Sequence, residues 1–380
     1  MGMRHMPQKE ERFRPGLKIS DLFSLEDKFI LIGPPGVGKT ERIRQLARDE
    51  ALSKGRQFVD LSEDFSEEIV VKVKSEPGKY YLFLRIPATH FFPEDVQYPV
   101  VVSGRGFKHL IPEKLELFTL QNVAGVIFID ELNNVQDDKQ ITALFTLIQE
   151  KEFGWGYKLA KDVKVVSAGN PSEWSAVARE LPAPLVNRMT VLEVEPPSVE
   201  EWSRYMDSVH GDNYEKLVVA YLMVYRDDLL KPPVNPGEPF PSPRAWTELA
   251  LLLKKYSNAP DKFKEALVYG RVGGEAGAKF MSLLRTRIDV ARVLAELKSS
   301  PEKFDELDIN AKILVVHALT QQRVKEYEKI IVHIVRRHRE FAMLLIVMGG
   351  SKMLLELMSI ASVRAELTEM VKKLTAYIQR

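Results

Sequence analysis

Short apolar runs alternate with amphipathic stretches through the first half of the chain. The runs typical of strands buried on both faces lie at 28–33, 57–61, 80–86, 126–130, 163–168 and 190–194. Helical spacing of apolar residues occurs between some of them, at 39–53 and 137–150. This alternation predicts an α/β fold, with a three-layer core in which helices cover a parallel sheet over residues 28–195.

The pattern changes at Pro196 and Pro197, after which no stretch has the alternation of a strand. Ser198 followed by Glu201 forms a capping box and predicts the start of a helix. The residues beyond are predicted to be helical, with Pro- or Gly-rich joints at 232–243 and 270–277. The predicted organisation is a tail and entry helix (1–27), the sheet core (28–195), a helical lid (196–300) and a C-terminal helical extension (301–380).

Composition and charge exclude only a few classes of function. The 54 Lys and Arg nearly balance the 53 Asp and Glu, so no global field favours nucleic acid or a cationic partner. The absence of cysteine excludes disulfides, zinc fingers and thiol nucleophiles. Residues 1–15 lack the apolar centre of a signal peptide, and the longest apolar run, at 341–348, is far shorter than the roughly 20 residues of a membrane span. We therefore expect a soluble, cytoplasmic protein without a membrane partner.

The segment GPPGVGKT matches the phosphate-binding pattern G-x-x-x-x-G-K-[ST] and stands between an apolar strand and a helix. Its glycines let the backbone direct N–H groups at phosphate oxygens, and the following helix offers its positive end to the same anion. Lys39 is predicted to reach the β- and γ-phosphates, and Thr40 to offer its hydroxyl to Mg²⁺. The predicted nucleotide contacts are Gly33, Pro34, Pro35, Gly36, Val37, Gly38, Lys39 and Thr40.

Two adjacent acids, Asp130 and Glu131, stand at the end of the apolar run VIFID. The carboxyl end of a strand in an open α/β sheet faces the ligand crevice, and two neighbouring carboxylates there need a cation. Asp130 is therefore predicted to hold Mg²⁺ through its water shell. Glu131 is predicted to orient and polarise an attacking water, which suits a hydrolysing motor better than a GTPase switch or a kinase.

Five ordered motifs give the chain its resemblance to a known family. They are GPPGVGKT (33–40), VIFIDELN (126–133), SAGNP (167–171), LPAPLVNRM (181–189) and SPRAW (242–246). With these motifs the chain resembles AAA+ ATPases over about 28–300, and most closely the MoxR branch with its helix 2 insert. The resemblance implies a P-loop fold and Mg²⁺-dependent hydrolysis of ATP, with ATP bound at subunit interfaces of a homo-oligomeric, hexameric ring. The chain departs from typical MoxR sequences at Asn134, in SAGNP and in NRM, which weakens any transfer of a MoxR client or partner.

The resemblance also assigns roles to three polar residues outside the phosphate motif. Asn170 corresponds to sensor 1, an amide that contacts the γ-phosphate or the attacking water. Arg188 corresponds to the arginine finger that projects into the ATP site of a neighbouring subunit, with Arg179 as the alternative. Arg244 corresponds to sensor 2, acting either in its own subunit or in the neighbouring one.

The position of Arg244 supports a role independently of any family. Ser242 suits the N-cap of a helix and Pro243 its first position, so Arg244 is expected in the first helical turn. A cation there opposes the helix dipole and costs stability. A residue that costs stability in this way indicates function.

Two glycine-containing segments are predicted to form hairpins. One lies within 91–118, where the MoxR branch carries its insert, with 103–106 as the tip, and the other is EFGWGYKL at 152–159. By resemblance such hairpins face a central pore, and the alternative is a pair of surface loops.

The C-terminal helices carry a basic cluster, Arg-Arg-His-Arg at 336–339. The cluster suits a solvated helix face or, alternatively, a contact for nucleic acid or an acidic partner. His333 and His338 lie five positions apart, a spacing that does not place two ligands on one face of a helix. No metal is therefore expected there.

The favoured function is a chaperone-like remodelling ATPase that acts on a protein client. A nucleic-acid motor of the McrB or MCM type is the alternative, which the near-neutral charge and the lack of an added DNA-binding module disfavour. A nucleotide-gated scaffold with little turnover is a third hypothesis, and Glu131 argues against it.

Overall fold

The computed structural model describes residues 23–24, 28–93, 98–102, 106–153, 156–171, 174, 183, 187–235 and 237–378. The chain forms two compact units. The first consists of Met1–Ile32, Lys39–Asn170 and Val177–Glu193, and the second of Gly33–Gly38, Pro171–Ala176 and Val194–Arg380. The predicted domain boundaries at 27, 195 and 300 stay predictions.

The first unit is built on a six-stranded parallel sheet. Each of its six strands coincides with one of the predicted apolar runs. They are β1 (Lys28–Ile32), β2 (Gln57–Asp60), β3 (Tyr80–Pro87), β6 (Ala124–Asp130), β9 (Asp162–Gly169) and β10 (Thr190–Glu193). Their order in the sheet is β10-β1-β9-β6-β3-β2.

Both predicted hairpin segments contain antiparallel strand pairs. In the first, β4 (Tyr98–Val102) pairs with β5 (Gly106–Leu110), and in the second, β7 (Glu152–Phe153) pairs with β8 (Tyr157–Lys158). Residues 103–105, which carry most of the predicted tip, and 154–155 lie outside the described residues.

Helices cover both faces of the parallel sheet. They are α1 (Lys39–Ser53), α2 (Glu67–Ser75), α3 (Glu113–Glu116) and α4 (Asp138–Glu150). Ile127 and Ile129 of β6 share an apolar core with α2 and α4, whereas Phe128 points to the opposite face and stacks on Phe83, with ring centroids 6.5 Å apart. Helix α1 packs on β2, β3 and β6. Successive side chains of β6 thus pack against helices on opposite faces of the sheet, which gives three layers. This explains why β6 is buried along its whole length.

The second unit is helical. Its longer helices are α5 (Val199–His210), α6 (Lys216–Val224), α7 (Pro243–Lys255), α8 (Asp261–Val272), α9 (Gly274–Arg285), α10 (Val290–Ser299), α11 (Ile309–Leu319), α12 (Glu328–Arg337), α13 (Arg339–Met358) and α14 (Arg364–Ile378). Among the described residues no strand follows Glu193. The predicted fold class, a parallel P-loop-type α/β core followed by helices, is confirmed.

Local sequence signals set several helix ends of the second unit. The predicted capping box is present at the start of α5, where Ser198 Oγ accepts the N–H of Glu201 and the Glu201 carboxylate accepts the N–H of Ser198. Helix α8 ends at Val272 and is capped by Gly273, whose φ of 78° requires glycine, within the predicted joint. The core of the second unit contains an aromatic cluster. The ring centroids of Tyr221, Trp246 and Phe280 lie 5.2–5.7 Å apart.

One described helix, α13, has the length and apolar composition of a membrane span. The apolar run at 341–348 forms its first part. Phe341, Leu344 and Leu345 are buried in the core of the second unit, and the chain kinks at Gly350 (φ 63°, ψ −163°). Burial and kink are typical of a core helix.

The expectation that His333 and His338 point to different faces is wrong. Helix α12 ends at Arg337, and His338 has the non-helical angles φ −129° and ψ 71°. The helical spacing argument fails because the second histidine lies beyond the helix end. Both imidazoles contact the Asp305 carboxylate.

Glycine at position 125 tests how tightly the sheet is packed. A Cβ there would lie 2.3 Å from the Leu82 carbonyl oxygen and 3.0 Å from the Phe118 ring. Gly125→Ala should therefore lower the free energy of unfolding, measured by urea denaturation, by about 1–3 kcal/mol. Gly270→Ala is the control, because the added methyl of this exposed helical position meets nothing and should stabilise by about 0.5–1 kcal/mol. Equal midpoints for Gly125→Ala and the wild type would contradict the packing argument.

Candidate functional site

The carboxylate of Asp130 is the centre of a polar cluster at the edge of the parallel sheet. Asp130 is the last residue of β6 and is buried. Its Oδ2 accepts a hydrogen bond from Thr40 Oγ1 at 3.1 Å, and its Oδ1 accepts one from the backbone N–H of Glu131 at 3.0 Å. The structure therefore brings together the two residues predicted to hold Mg²⁺.

The predicted phosphate lysine and sensor amide are also in contact. Lys39 is buried at the start of α1, and its Nζ donates to Asn170 Oδ1 at 2.8 Å. Asn170 directly follows β9, the neighbour of β6 in the sheet. Two groups that are both expected to contact a γ-phosphate thus converge, one from the start of a helix and one from the end of a strand.

Asn133 holds Asn170 in place, a role that the sequence analysis missed. Its Oδ1 accepts the backbone N–H of Asn170 at 3.0 Å, and its Nδ2 donates to the backbone carbonyl of Asn170. The side-chain amide of Asn133 thereby pairs with the backbone of Asn170 as a neighbouring strand would, just beyond the end of β9. Close approach is possible because residue 169 is glycine, where a Cβ would lie 2.8 Å from Asn133 Oδ1.

Arg85 is a second unpredicted member of the cluster. Its Nε and Nη2 lie 2.9 and 2.8 Å from Asp130 Oδ2, the oxygen that also accepts from Thr40. The guanidinium therefore supplies positive charge at the carboxylate that is predicted to hold a cation. The available sequence signal was an arginine near the end of the otherwise apolar run YYLFLRI.

Glu131 has a backbone conformation that is unusual for its residue type. Its φ of 58° and ψ of 39° lie in the left-handed region, which costs about 1–2 kcal/mol for a residue with a side chain. Asn134 supports this turn, because its backbone N–H donates to the Glu131 carbonyl at 2.9 Å and its Nδ2 to Oε2 at 3.3 Å. Strain of this kind accumulates at functional sites.

In the second unit the phosphate-motif backbone Gly33–Gly38 contacts the start of α7. Arg244 N–H donates to the Gly36 carbonyl at 3.2 Å. Gly36 has a φ of 77°, and a Cβ there would lie 3.0 Å from Ser242 Oγ. Ser242 caps α7 and Pro243 occupies its first turn, as the sequence predicts. Arg244 is exposed.

Arg188 lies apart from these contacts, in an exposed turn before β10. Its Nη1 donates to Gln149 Oε1 at 2.5 Å, near the end of α4. Arg179, the alternative finger, lies outside the described residues.

The donor set of the cluster fits a magnesium–nucleotide complex. Mg²⁺ prefers oxygen ligands and keeps several waters, and Asp130 with the Thr40 hydroxyl supplies two oxygens 3.1 Å apart. Lys39 provides a cation of the kind that phosphate oxygens require, and Arg85 holds a second positive charge against Asp130. The roles of these residues stay predictions.

Comparison with solved structures finds matches of low similarity over most of the chain. The Holliday junction branch migration motor RuvB of Thermotoga maritima aligns with 81% of this chain and 80% of its own, at 14% identity and a TM-score of 0.29. The NtrX–ADP complex of Brucella abortus aligns with 85% and 66%, at 13% identity and a TM-score of 0.36. A closed-state Hsp104 complex with ATPγS and casein aligns with 80% and 46%, at 11% identity and a TM-score of 0.35.

These TM-scores are too low to support an inference, so the fold class rests on the sheet topology. No protein-family model and no curated protein matches the sequence.

Removal of Arg85 tests whether its guanidinium competes with a metal for Asp130. A unit charge about 4 Å from another contributes about 1 kcal/mol in water, or about fivefold in affinity. Arg85→Gln should therefore tighten binding of Mn²⁺, measured by electron paramagnetic resonance with saturating ADP, by about threefold to tenfold. The control is Arg42→Gln, an exposed arginine of α1. Weaker Mn²⁺ binding by Arg85→Gln would instead assign the guanidinium to the phosphates.

Proposed function

We propose that the chain is a Mg²⁺-dependent ATPase of the AAA+ type. The observation that carries the proposal is the convergence of Lys39 and Thr40, at the start of α1, with Asp130 and Asn170, at the carboxyl ends of the neighbouring strands β6 and β9. These residues come from three separate motifs of the sequence. A structural role alone gives no reason for a buried lysine, a buried carboxylate and a strained glutamate to gather at one sheet edge.

Each residue has a distinct task in the proposed reaction. The backbone of 33–38 and the Lys39 ammonium bind the phosphates, and Thr40 with Asp130 would hold the metal, which neutralises charge between the β- and γ-phosphates when bound. Glu131 orients a water for in-line attack on the γ-phosphorus and accepts its proton as the bond to the ADP oxygen breaks. Asn170 positions the water or the γ-phosphate.

We further propose that the ATPase works as a homo-oligomeric ring, a hexamer, in which Arg188 acts in trans. Arg188 supports this because it lies at an exposed turn, where a neighbouring copy can be reached. A guanidinium is suited to neutralising the charge that grows on the transferred phosphoryl group. Arg244, at the first turn of α7 and bonded to the phosphate motif, is proposed to couple the helices to the nucleotide.

The proposed client is a protein, as for a chaperone-like MoxR relative. The β4–β5 hairpin supports a protein client, because Val101 is 72% exposed and Leu110 45% exposed on its two strands. Exposed apolar side chains favour contact with polypeptide over contact with a charged backbone. The near-neutral net charge of +1 agrees with this choice. We place the protein in the cytoplasm.

Two substitutions test the ATPase proposal together. Lys39→Ala should abolish ATP binding, because the buried ammonium is the charge that meets the phosphates. Glu131→Gln should bind ATP with unchanged affinity and hydrolyse it at least about a hundredfold more slowly, because the amide cannot accept the proton. Binding is measured with a fluorescent ATP analogue and turnover by phosphate release.

Glu67→Gln is the matched control for the second variant, because this exposed glutamate of α2 is remote in sequence from every motif. Normal turnover by Glu131→Gln would remove Glu131 from the mechanism. Unchanged ATP affinity of Lys39→Ala would refute the phosphate assignment. Strong stimulation of wild-type turnover by added DNA would favour a nucleic-acid motor over a protein remodeller.

Mixed rings test the action of Arg188 in trans. Arg188→Ala subunits keep an intact ATP site, and Lys39→Ala subunits keep an intact finger. Mixtures of the two inactive variants should therefore recover a fraction of wild-type turnover. No recovery in rings shown by native mass spectrometry to be mixed would count against a finger at Arg188.

A further inference from the structure

A cluster of two imidazoles and one carboxylate lies in the helical unit, outside the nucleotide motifs. His333 Nε2 and His338 Nε2 lie 2.7 and 2.6 Å from the same oxygen, Oδ1 of Asp305. The two side chains are only 13% and 18% exposed, and the carboxylate is 35% exposed. The ligating atoms of two nearby histidines thus lie together with that of an aspartate 28 residues earlier in the chain than His333, next to solvent.

The local fold brings these three groups together. Helix α12 carries His333 and ends at Arg337, and the extended turn at His338 swings the second imidazole back beside the first, with ring centroids 5.8 Å apart. The rings of Phe304 and Phe341 pack edge-on against His338 at 5.1 and 6.2 Å. The second imidazole is therefore held in its orientation by apolar packing on two sides.

We propose that Asp305, His333 and His338 form a binding site for a divalent transition-metal ion of the zinc class. Two imidazoles and one carboxylate are ligands that zinc and its neighbours take, whereas Mg²⁺ and Ca²⁺ prefer oxygen alone. The set leaves a fourth tetrahedral position for water. Bound metal would tie the segment after Phe304 to the junction of α12 and α13.

The distances agree with such a site in its metal-free form. Tetrahedral zinc with bonds of about 2.0–2.1 Å separates its ligand atoms by about 3.4 Å. Here all three ligating atoms lie within 4.8 Å of one another, and the two short separations are those of hydrogen bonds to Oδ1. Metal would widen these two separations by about 0.7 Å, which side-chain rotation can supply. Binding requires the proton of each imidazole on Nδ1, so that the Nε2 lone pair faces the metal.

The charges around the cluster set the expected affinity. Asp305 supplies the one carboxylate of the ligand set, and its Oδ1 contacts both imidazoles. The Arg337 guanidinium lies 3.4 Å from the other carboxylate oxygen and opposes a cation. The ligand set carries a single negative charge beside this arginine, so we expect a dissociation constant on the order of micromolar, weaker than in structural sites with thiolate ligands.

A different carboxylate of the same unit, the buried Asp228, lies in a cluster that can be explained by structure alone. Asp228 is bonded to Lys231 at 2.6 Å and to Lys279 at 3.3 Å. Ammonium groups have no lone pair for a metal and neutralise the carboxylate by themselves. Asp305 instead contacts the imidazoles of His333 and His338, each of which can bind a metal at the nitrogen that otherwise carries a proton.

The test is zinc binding by the full chain, freed of metal with a chelator and kept without nucleotide. The wild type should bind one Zn²⁺ in competition with a colorimetric chelator, and Co²⁺ in its place should give the visible absorption of a tetrahedral site. His333→Gln, His338→Gln and Asp305→Asn, which keep hydrogen-bonding capacity, should each weaken binding at least about tenfold. Arg337→Gln should tighten binding about twofold to fivefold.

His90→Gln is the matched control, because it removes an exposed histidine of the other unit and should bind Zn²⁺ like the wild type. A Zn²⁺-induced rise of the melting temperature should be present in the control and absent from the three ligand variants. The proposal is overturned if wild type and Asp305→Asn bind equally, or if all three ligand variants keep wild-type affinity. Either result would make the cluster a hydrogen-bonded clamp only.

Discussion

The parallel pairing of β6 with β3 on one side and β9 on the other decides where the polar groups of the candidate site lie. The register places Pro87 opposite Asp130 and Ser167 opposite Ile129. Parallel strands end at the same edge of a sheet, so Arg85, Asp130 and Asn170 lie along one edge although they are far apart in the chain. If the pairing slipped by one residue, side chains that now reach this edge would point into the apolar layers.

The polar groups of this edge satisfy one another. Lys39 bonds to Asn170, and Arg85 and Thr40 both bond to Asp130. A buried charge without a partner is costly, so each of these bonds stabilises the ligand-free chain. Any anion or cation that enters must exchange these partners for its own contacts, which lowers net affinity and makes binding a rearrangement of existing bonds. The strained backbone of Glu131 adds a carboxylate whose direction is fixed before any ligand arrives.

The sequence predicted those parts of the structure that depend on local pattern. Apolar runs located all six strands, and Ser198 and Ser242 located helix starts, because burial and capping act over a few residues. Arg85 and Asn133 were missed, since their partners are chosen by strand register and turn geometry between distant segments. The histidine pair was misjudged for a different reason: a helical spacing rule was applied across a helix end that the sequence does not mark.

The close fit between residues 133 and 169 has an evolutionary consequence. The amide of Asn133 occupies the volume into which any side chain at position 169 would grow. Exchange of Gly169 alone would push the amide away from the end of β9 and leave the backbone of Asn170 without its two bonds. Homologous chains should therefore change these two positions together or not at all. This covariation would arise from the limited space between the two residues and from the hydrogen bonds to Asn170, without direct contact with a ligand.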